Sequence, residues 1–237
     1  MKAGIKIINN FGTVLIDEAY QVLCLKSKTV INTAAPYNFS VAGAKHPQFL
    51  YSDIAGDLLI RTYIYWGGLG NNLPIDTAEV RLDACLNLDG TSTHLPVACT
   101  AWVFDDSQDS GSTYGLKIYD STGKVIFDAL QKNCRVVGII EGVGEMVVPP
   151  GRKYAIGLLA EAYNWENGVK ANSIDPKYAS NLYVHHGLRT AVYNTGSVIG
   201  TRYGCFEGYV TNSEQYPTVI EKKFGTARAI VVDVTGY

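Results

Sequence analysis

Four histidines, His46, His94, His185 and His186, are the side chains of this sequence best suited to proton transfer near neutral pH or to metal ligation. His185 and His186 are adjacent, so on a strand they face opposite sides and do not close on one metal from the same face. No Asp or Glu stands within a few residues of the pair to act as a third ligand or to orient a ring. Glycoside hydrolysis needs two carboxylates roughly 5–10 Å apart about a sugar. Glu141, Glu145, Glu161 and Glu166 are the available acids, and Trp165 offers a ring on which a sugar could stack, but proximity along the chain does not build a cleft. The Gly-x-Ser-x-Gly elbow of a serine nucleophile does not occur. The chain is therefore expected to be no enzyme, with no catalytic residue, metal or cofactor.

Two further stretches resemble ligand loops only superficially. Gly67-Gly68-Leu69-Gly70-Asn71-Asn72 is glycine-rich, yet no Lys-Ser or Lys-Thr follows and no helix-forming stretch opens after it, as a phosphate cradle requires. Asp105-Asp106-Ser107-Gln108-Asp109-Ser110-Gly111 begins like a calcium loop. Ser110 stands where that motif needs glycine and Leu116 where it needs glutamate, so a solvated connection is expected.

Aromatic faces are plentiful. Tyr65, Trp66, Tyr163 and Trp165 are candidate contacts for a glycan or a subunit interface, alongside Tyr63, Tyr183, Tyr193, Tyr203 and Tyr209. Sixteen tyrosines accompany a charged fraction of only 18%, against roughly 25% in soluble domains. A polar, aromatic, uncharged surface suits contact with proteins or sugars. The net charge of −2 leaves no electrostatic footprint for nucleic acid or an anionic membrane, so neither is an expected partner.

The five cysteines, Cys24, Cys85, Cys99, Cys134 and Cys205, are odd in number, scattered and without a Cys-x-x-Cys pair, as expected of buried thiols made in a reducing cytoplasm. The opening residues interrupt their apolar run with Lys6, Asn9, Asn10 and Asp17 and do not read as a secretory leader. No apolar run reaches the ~20 residues of a membrane-spanning helix.

The elements that must position these groups are strands. Gly4–Asp17 and Gly115–Asp128 align without a gap, each residue of the second lying 111 positions after its counterpart, and share Gly, Lys, Ile, Gly, Val and Asp at fixed places. Asn9 with Gly12, and Asp120 with Gly123, put an Asx residue first and a glycine fourth. That spacing suits a type I turn closed by a left-handed glycine, the three-residue hairpin with a bulge. Further strands are expected at Tyr20–Leu25, Thr29–Asn32, Leu58–Trp66, Ala78–Leu88, Val97–Phe104, Arg135–Ile140, Lys153–Glu161, Leu182–His186, Thr190–Tyr193, Cys205–Thr211, Thr218–Glu221 and Ala227–Val234. Ala34–Gln48 and Tyr163–Lys177 read as loops. Amphipathic 3.6-residue periodicity is lacking. The expected fold is all-β, an antiparallel β-sandwich of jelly-roll type with two related hairpins. Its halves would be 1–105, led by the first hairpin, and 106–237, led by the second, either as two units or as one continuous sandwich.

The Tyr-Gly-Leu-Lys-Ile-Tyr-Asp-x-x-Gly-Lys-Val-Ile-Phe-Asp segment at 114–128 follows an apolar Ala-Trp-Val-Phe strand and is continued by Arg135-Val136-Val137. Together with the matching N-terminal segment and the terminal Ile230-Val231-Val232-Asp233-Val234-Thr235-Gly236-Tyr237, it resembles tail proteins of bacteriophages and prophages. The resemblance covers both hairpins and the last strand. It implies a structural virion component of the tail tip, minor tail or fibre anchor, made in the bacterial host cytoplasm and acting through assembly. Its implied partners are copies of itself, in a trimer or sixfold ring, and other tail proteins. A carbohydrate- or host-receptor-binding module of the virion is the second reading and a glycan-degrading enzyme the third.

Overall fold

The computed structural model describes residues 6–8, 14–17, 22–33, 37, 43–55, 60–64, 80–83, 97–170, 183–211 and 220–237. Among them every regular element is a strand and every ladder is antiparallel. In chain order these are β1 (Lys6–Ile8), β2 (Val14–Asp17), β3 (Leu23–Thr33), β4 (Gln48–Ser52), β5 (Arg61–Ile64), β6 (Val80–Asp83) and β7 (Val97–Asp106). The second hairpin supplies β8 (Lys117–Tyr119) and β9 (Val125–Asp128), followed by β10 (Val136–Glu141), β11 (Gly144–Val147) and β12 (Tyr154–Ala160). The chain ends with β13 (Tyr163–Lys170), β14 (Tyr183–Asn194), β15 (Val198–Thr211), β16 (Ile220–Phe224) and β17 (Arg228–Asp233).

Two sheets dominate. One has six strands in the order β10-β17-β12-β4-β7-β3, the other five in the order β11-β15-β14-β13-β16. The six-stranded sheet takes β3, β4 and β7 from before residue 107 and β10, β12 and β17 from after it, with β12 pairing directly with β4. The boundary at 105/106 therefore falls inside a sheet.

Period-2 alternation puts apolar residues on both faces of the six-stranded sheet. Phe49 and Tyr51 of β4, Cys99, Ala101 and Val103 of β7, Tyr154 and Ile156 of β12 and Val231 of β17 share one buried cluster with Val192 of β14 and Ile199 of β15. This cluster joins the two sheets. The opposite face carries a second cluster, Leu50, Trp102, Phe104, Ala155, Val232 and Val234, with Leu25, Cys134 and Tyr237 packed against it. Close approach inside the sheet depends on Gly157, where a Cβ would lie 2.1 Å from the Phe49 carbonyl oxygen.

Three expectations need correction. Leu23–Leu25 and Thr29–Asn32 belong to a single strand, β3, with an irregularity between Leu25 and Ser27 that absorbs Lys26, while Tyr20 and Gln21 lie outside the described residues. Tyr183–His186 and Thr190–Tyr193 likewise merge into β14, whose register shifts between Gly187 and Leu188, and Leu182 lies outside the described residues. Tyr163–Lys170 is strand rather than loop: it lies between β14 and β16, and pairing on both sides overrides the weak β preference of Asn164, Asn167 and Gly168.

Candidate functional site

The second hairpin has the register the spacing describes. Lys117 pairs with Asp128, Ile118 with Phe127 and Tyr119 with Val125, the shift falling after Ile118. In the first hairpin Lys6 pairs with Asp17, Ile7 with Ile16 and Ile8 with Val14, the shift falling after Ile7. Every partner and the irregularity coincide at the 111-residue offset. At the second turn Asp120 Oδ1 accepts the N–H groups of Thr122 and Lys124 at 2.8 and 3.0 Å, and Gly123 closes it at φ +84°. Asn9 and Gly12, the equivalent turn residues, lie outside the described residues.

Carboxylates fasten this hairpin to the body. Asp128 is fully buried and accepts the N–H of Ser110 at 3.0 Å and of Leu130 at 2.9 Å. Asp106 meets His46 Nδ1 at 2.9 Å and Lys124 Nζ at 3.3 Å, while Asp105 accepts the N–H groups of Lys45 and His46. Lys117 pairs with Asp109. The acidic stretch expected to be a solvated connection is thus buried at Asp105, Asp106 and Ser107, because backbone donors and cations are brought to it. Burial raises the Asp106 carboxyl, but the His46 and Lys124 contacts outweigh it and hold its pKa below the ordinary value. Among the described residues no three of His, Cys, Asp and Glu converge as a metal site.

A cleft of about 560 Å³ lies at one end of the two sheets, where Ser52, Asp53, Arg152, Lys153, Asn194 and Gly196 meet. Asp53 Oδ2 accepts from Thr100 Oγ1 at 2.6 Å and from Ser52 Oγ at 3.2 Å, and pairs with Lys153 Nζ at 2.6 Å. Ser52 Oγ in turn accepts the indole N–H of buried Trp102 at 2.9 Å. Burial raises the Asp53 pKa, and the bonds from Lys153, Thr100 and Ser52 overcome that and lower it. Asp53 has φ +52°, the one positive φ outside glycine among the described residues. Arg152 is tied to Asp233 at 2.6 Å beside the cleft. Sequence reasoning missed this group. Its only local signal is Ser-Asp after an apolar strand, and its partners lie in β7 and ahead of β12.

The residues singled out for chemistry are dispersed. Glu141 bridges Arg228 at 2.9 Å, Glu145 accepts the Tyr193 hydroxyl at 2.6 Å, and Glu161 stands 3.6 Å from Arg189. Burial, with Glu145 beside it, pushes the Tyr193 phenol up to about 12. Tyr163 is half-buried, with the Arg189 guanidinium 4.5 Å from its ring centre. Trp165 and Glu166 sit in β13, where Glu166 is paired with His186 of β14 and Glu221 of β16. Tyr65, Trp66, His94 and the Gly67–Asn72 stretch lie outside the described residues. Cys24, Cys99 and Cys134 are free, and burial pushes the thiols of Cys99 and Cys134 up to about 12.

No protein-family model, curated protein or solved structure matches the chain.

Proposed function

We propose that this chain is a structural component of a bacteriophage tail, at the tail tip, the minor tail or a fibre anchor, that works by docking against copies of itself and other tail proteins. The observation that carries the reading is the repeated hairpin, whose two copies keep the same partners and the same irregularity 111 residues apart. These segments also carry the resemblance to phage tail proteins. Local shape has been kept twice while neither copy brings a nucleophile or metal cage, as suits a scaffold. We further read the two principal sheets as a β-sandwich of jelly-roll type, supported by the buried cluster to which both contribute. A trimer or sixfold ring in the virion, assembled from protein made in the host cytoplasm, follows by analogy with tails generally.

Mass spectrometry of purified particles, with gold labelling of a tagged chain, tests this reading. The chain is expected in the particle at a stoichiometry that is a multiple of three and at one tail location. Particles from the same lysate that lack it overturn the proposal.

The Asp53 cleft favours a second reading, binding of a host-surface glycan. A carboxylate, an amide and two cations beside an open volume can accept and donate to sugar hydroxyls. In that case the free protein blocks infection and shifts on host lipopolysaccharide or capsule, and Asp53→Ala loses both effects.

A further inference from the structure

The two outer strands of the six-stranded sheet are treated oppositely. β3 also exposes Val30 (76%), but its exposed lysines Lys26 and Lys28 and the bonds made to its edge from residues 132–134 (Leu25 N–H to the Lys132 carbonyl at 2.9 Å, Cys134 N–H to the Leu23 carbonyl at 2.8 Å) disfavour pairing with another β3. β10 reads Val-Val-Gly-Ile-Ile-Glu and, among the described residues, pairs on one side only, with β17. Val136, Val137 and Ile139 are 54, 45 and 46% exposed. The adjoining outer strand of the other sheet, β11, adds Val147 at 80%. A strand edge offers a row of backbone N–H and C=O groups, so what it takes is another strand.

From the order of residues on this edge we infer that β10 pairs antiparallel with β10 of a second copy. The segment Arg135-Val136-Val137-Gly138-Ile139-Ile140-Glu141 has the same chemical order read from either end about Gly138, except that its termini carry opposite charges. Antiparallel pairing about Gly138 brings Arg135 of each copy to the end where the other presents Glu141, twice. Parallel pairing instead sets Arg against Arg and Glu against Glu. The irregularity between Val136 and Gly138 offsets the match by one residue, within reach of an arginine side chain. Both side chains are half-exposed, 44 and 58%, and each keeps contacts within its own chain that it would share across the pair: Arg135 with the Asp233 and Thr235 carbonyls and the Tyr237 ring, Glu141 with Arg228. The apolar residues between them meet their like.

This inference rests on the reading that the chain acts by assembly and names one surface for it. A single strand pair buries less than the ~1,000 Å² of a stable interface, so the dimer is weak in solution and gains strength only when other contacts hold the copies together.

The test is sedimentation equilibrium of the full chain up to about 1 mM, with Ile139→Lys, Arg135→Glu and Glu141→Arg. The wild type is expected to dimerise reversibly, Ile139→Lys to weaken this at least tenfold, and each charge reversal to weaken it alone. Arg135→Glu mixed with Glu141→Arg should restore a heterodimer, because both ends then pair opposite charges. Hydrogen exchange of the β10 amides, slowing as wild-type concentration rises, gives a readout independent of variant folding. A wild type that stays monomeric with unchanged β10 exchange overturns the inference, as does a dimer indifferent to Ile139→Lys in folded protein. Particle composition separates the two proposals: wild-type chain present in virions but monomeric in solution sinks only the β10 contact, whereas absence from virions sinks the tail reading whatever β10 does.

Discussion

Lys153 Nζ lies 2.6 Å from Asp53 Oδ2, tying the start of β12 to the residue that follows β4 across the end of the six-stranded sheet. Asp53 also receives Thr100 from β7, so one carboxylate joins three neighbouring chain segments while holding a left-handed backbone. Asp53→Ala removes every side-chain acceptor and leaves a Cβ residue without local hydrogen bonding at φ +52°. A loss of about 2 kcal/mol is expected. Asp53→Asn keeps an oxygen for Thr100 and tolerates the backbone, and because the ion pair is half-exposed it should cost below about 1 kcal/mol. Urea denaturation of the two variants checks the order, and equal losses would show that the ion pair rather than the backbone and hydroxyl bonds dominates.

Acid should unfold the protein by titrating a specific set of groups. At Asp53, Asp106 and Asp233 burial raises the carboxyl pKa, but the surrounding donors and cations prevail and leave it lowered. At Asp128 the hydrogen bonding from Ser110 leads and outweighs burial. A carboxyl with a lower pKa folded than unfolded contributes stability that is present above its unfolded value, 3.8, and is lost as pH falls through the folded value. Thermal melts should therefore fall steeply only below about pH 4. Asp106→Asn, with Asp233→Asn as a second site, should flatten that fall, and a wild type whose melting point drops mainly between pH 6 and 5 would contradict the assignment.

Gly157 is required by distance. Its missing Cβ leaves room for the Phe49 carbonyl oxygen, and an added methyl at 2.1 Å forces β12 away from β4. Gly157→Ala is expected to cost about 3 kcal/mol, whereas alanine at Gly43, where nothing lies within 4 Å, costs only the backbone strain of φ +73°. Comparing the two in one denaturation series separates contact from conformation.

What could be read from the sequence was what local chemistry settles. Turn residues Asp120 and Gly123 and the flanking aliphatics sufficed for the hairpin and its irregularity, since every interaction involved lies within a few residues. The doubly apolar run of β7 was equally clear as strand. Its extension through Asp105 and Asp106 was not, because His46 and Lys45 satisfy those carboxylates from some 60 residues away. Strand β13 was illegible for the same reason: Asn, Gly and Glu do not favour strand, and only neighbours on both sides make it one. The Asp53 cleft joins residues about 50 and 100 positions apart, a relation no local pattern carries.

The hairpin should open separately from the sheets. Its small buried cluster contains Ile118 and Ile126, and its backbone ties to the body include Val22 N–H to Ile126 C=O at 3.0 Å. Asp128 sits at its base, fully buried, with two backbone N–H groups aimed at it. In Asp128→Ala both donors lose their acceptor, a cost of about 1–3 kcal/mol, while the six-stranded sheet keeps its contacts. Amide exchange at Ile118 and Ile126 should then accelerate about 10- to 100-fold, the amides of Trp102 and Phe104 holding their rates, since local opening is governed by local contacts. Uniform acceleration across both regions would instead make the hairpin part of one cooperative unit with the sheets, and Asp128 a support of the whole fold rather than of this repeated element.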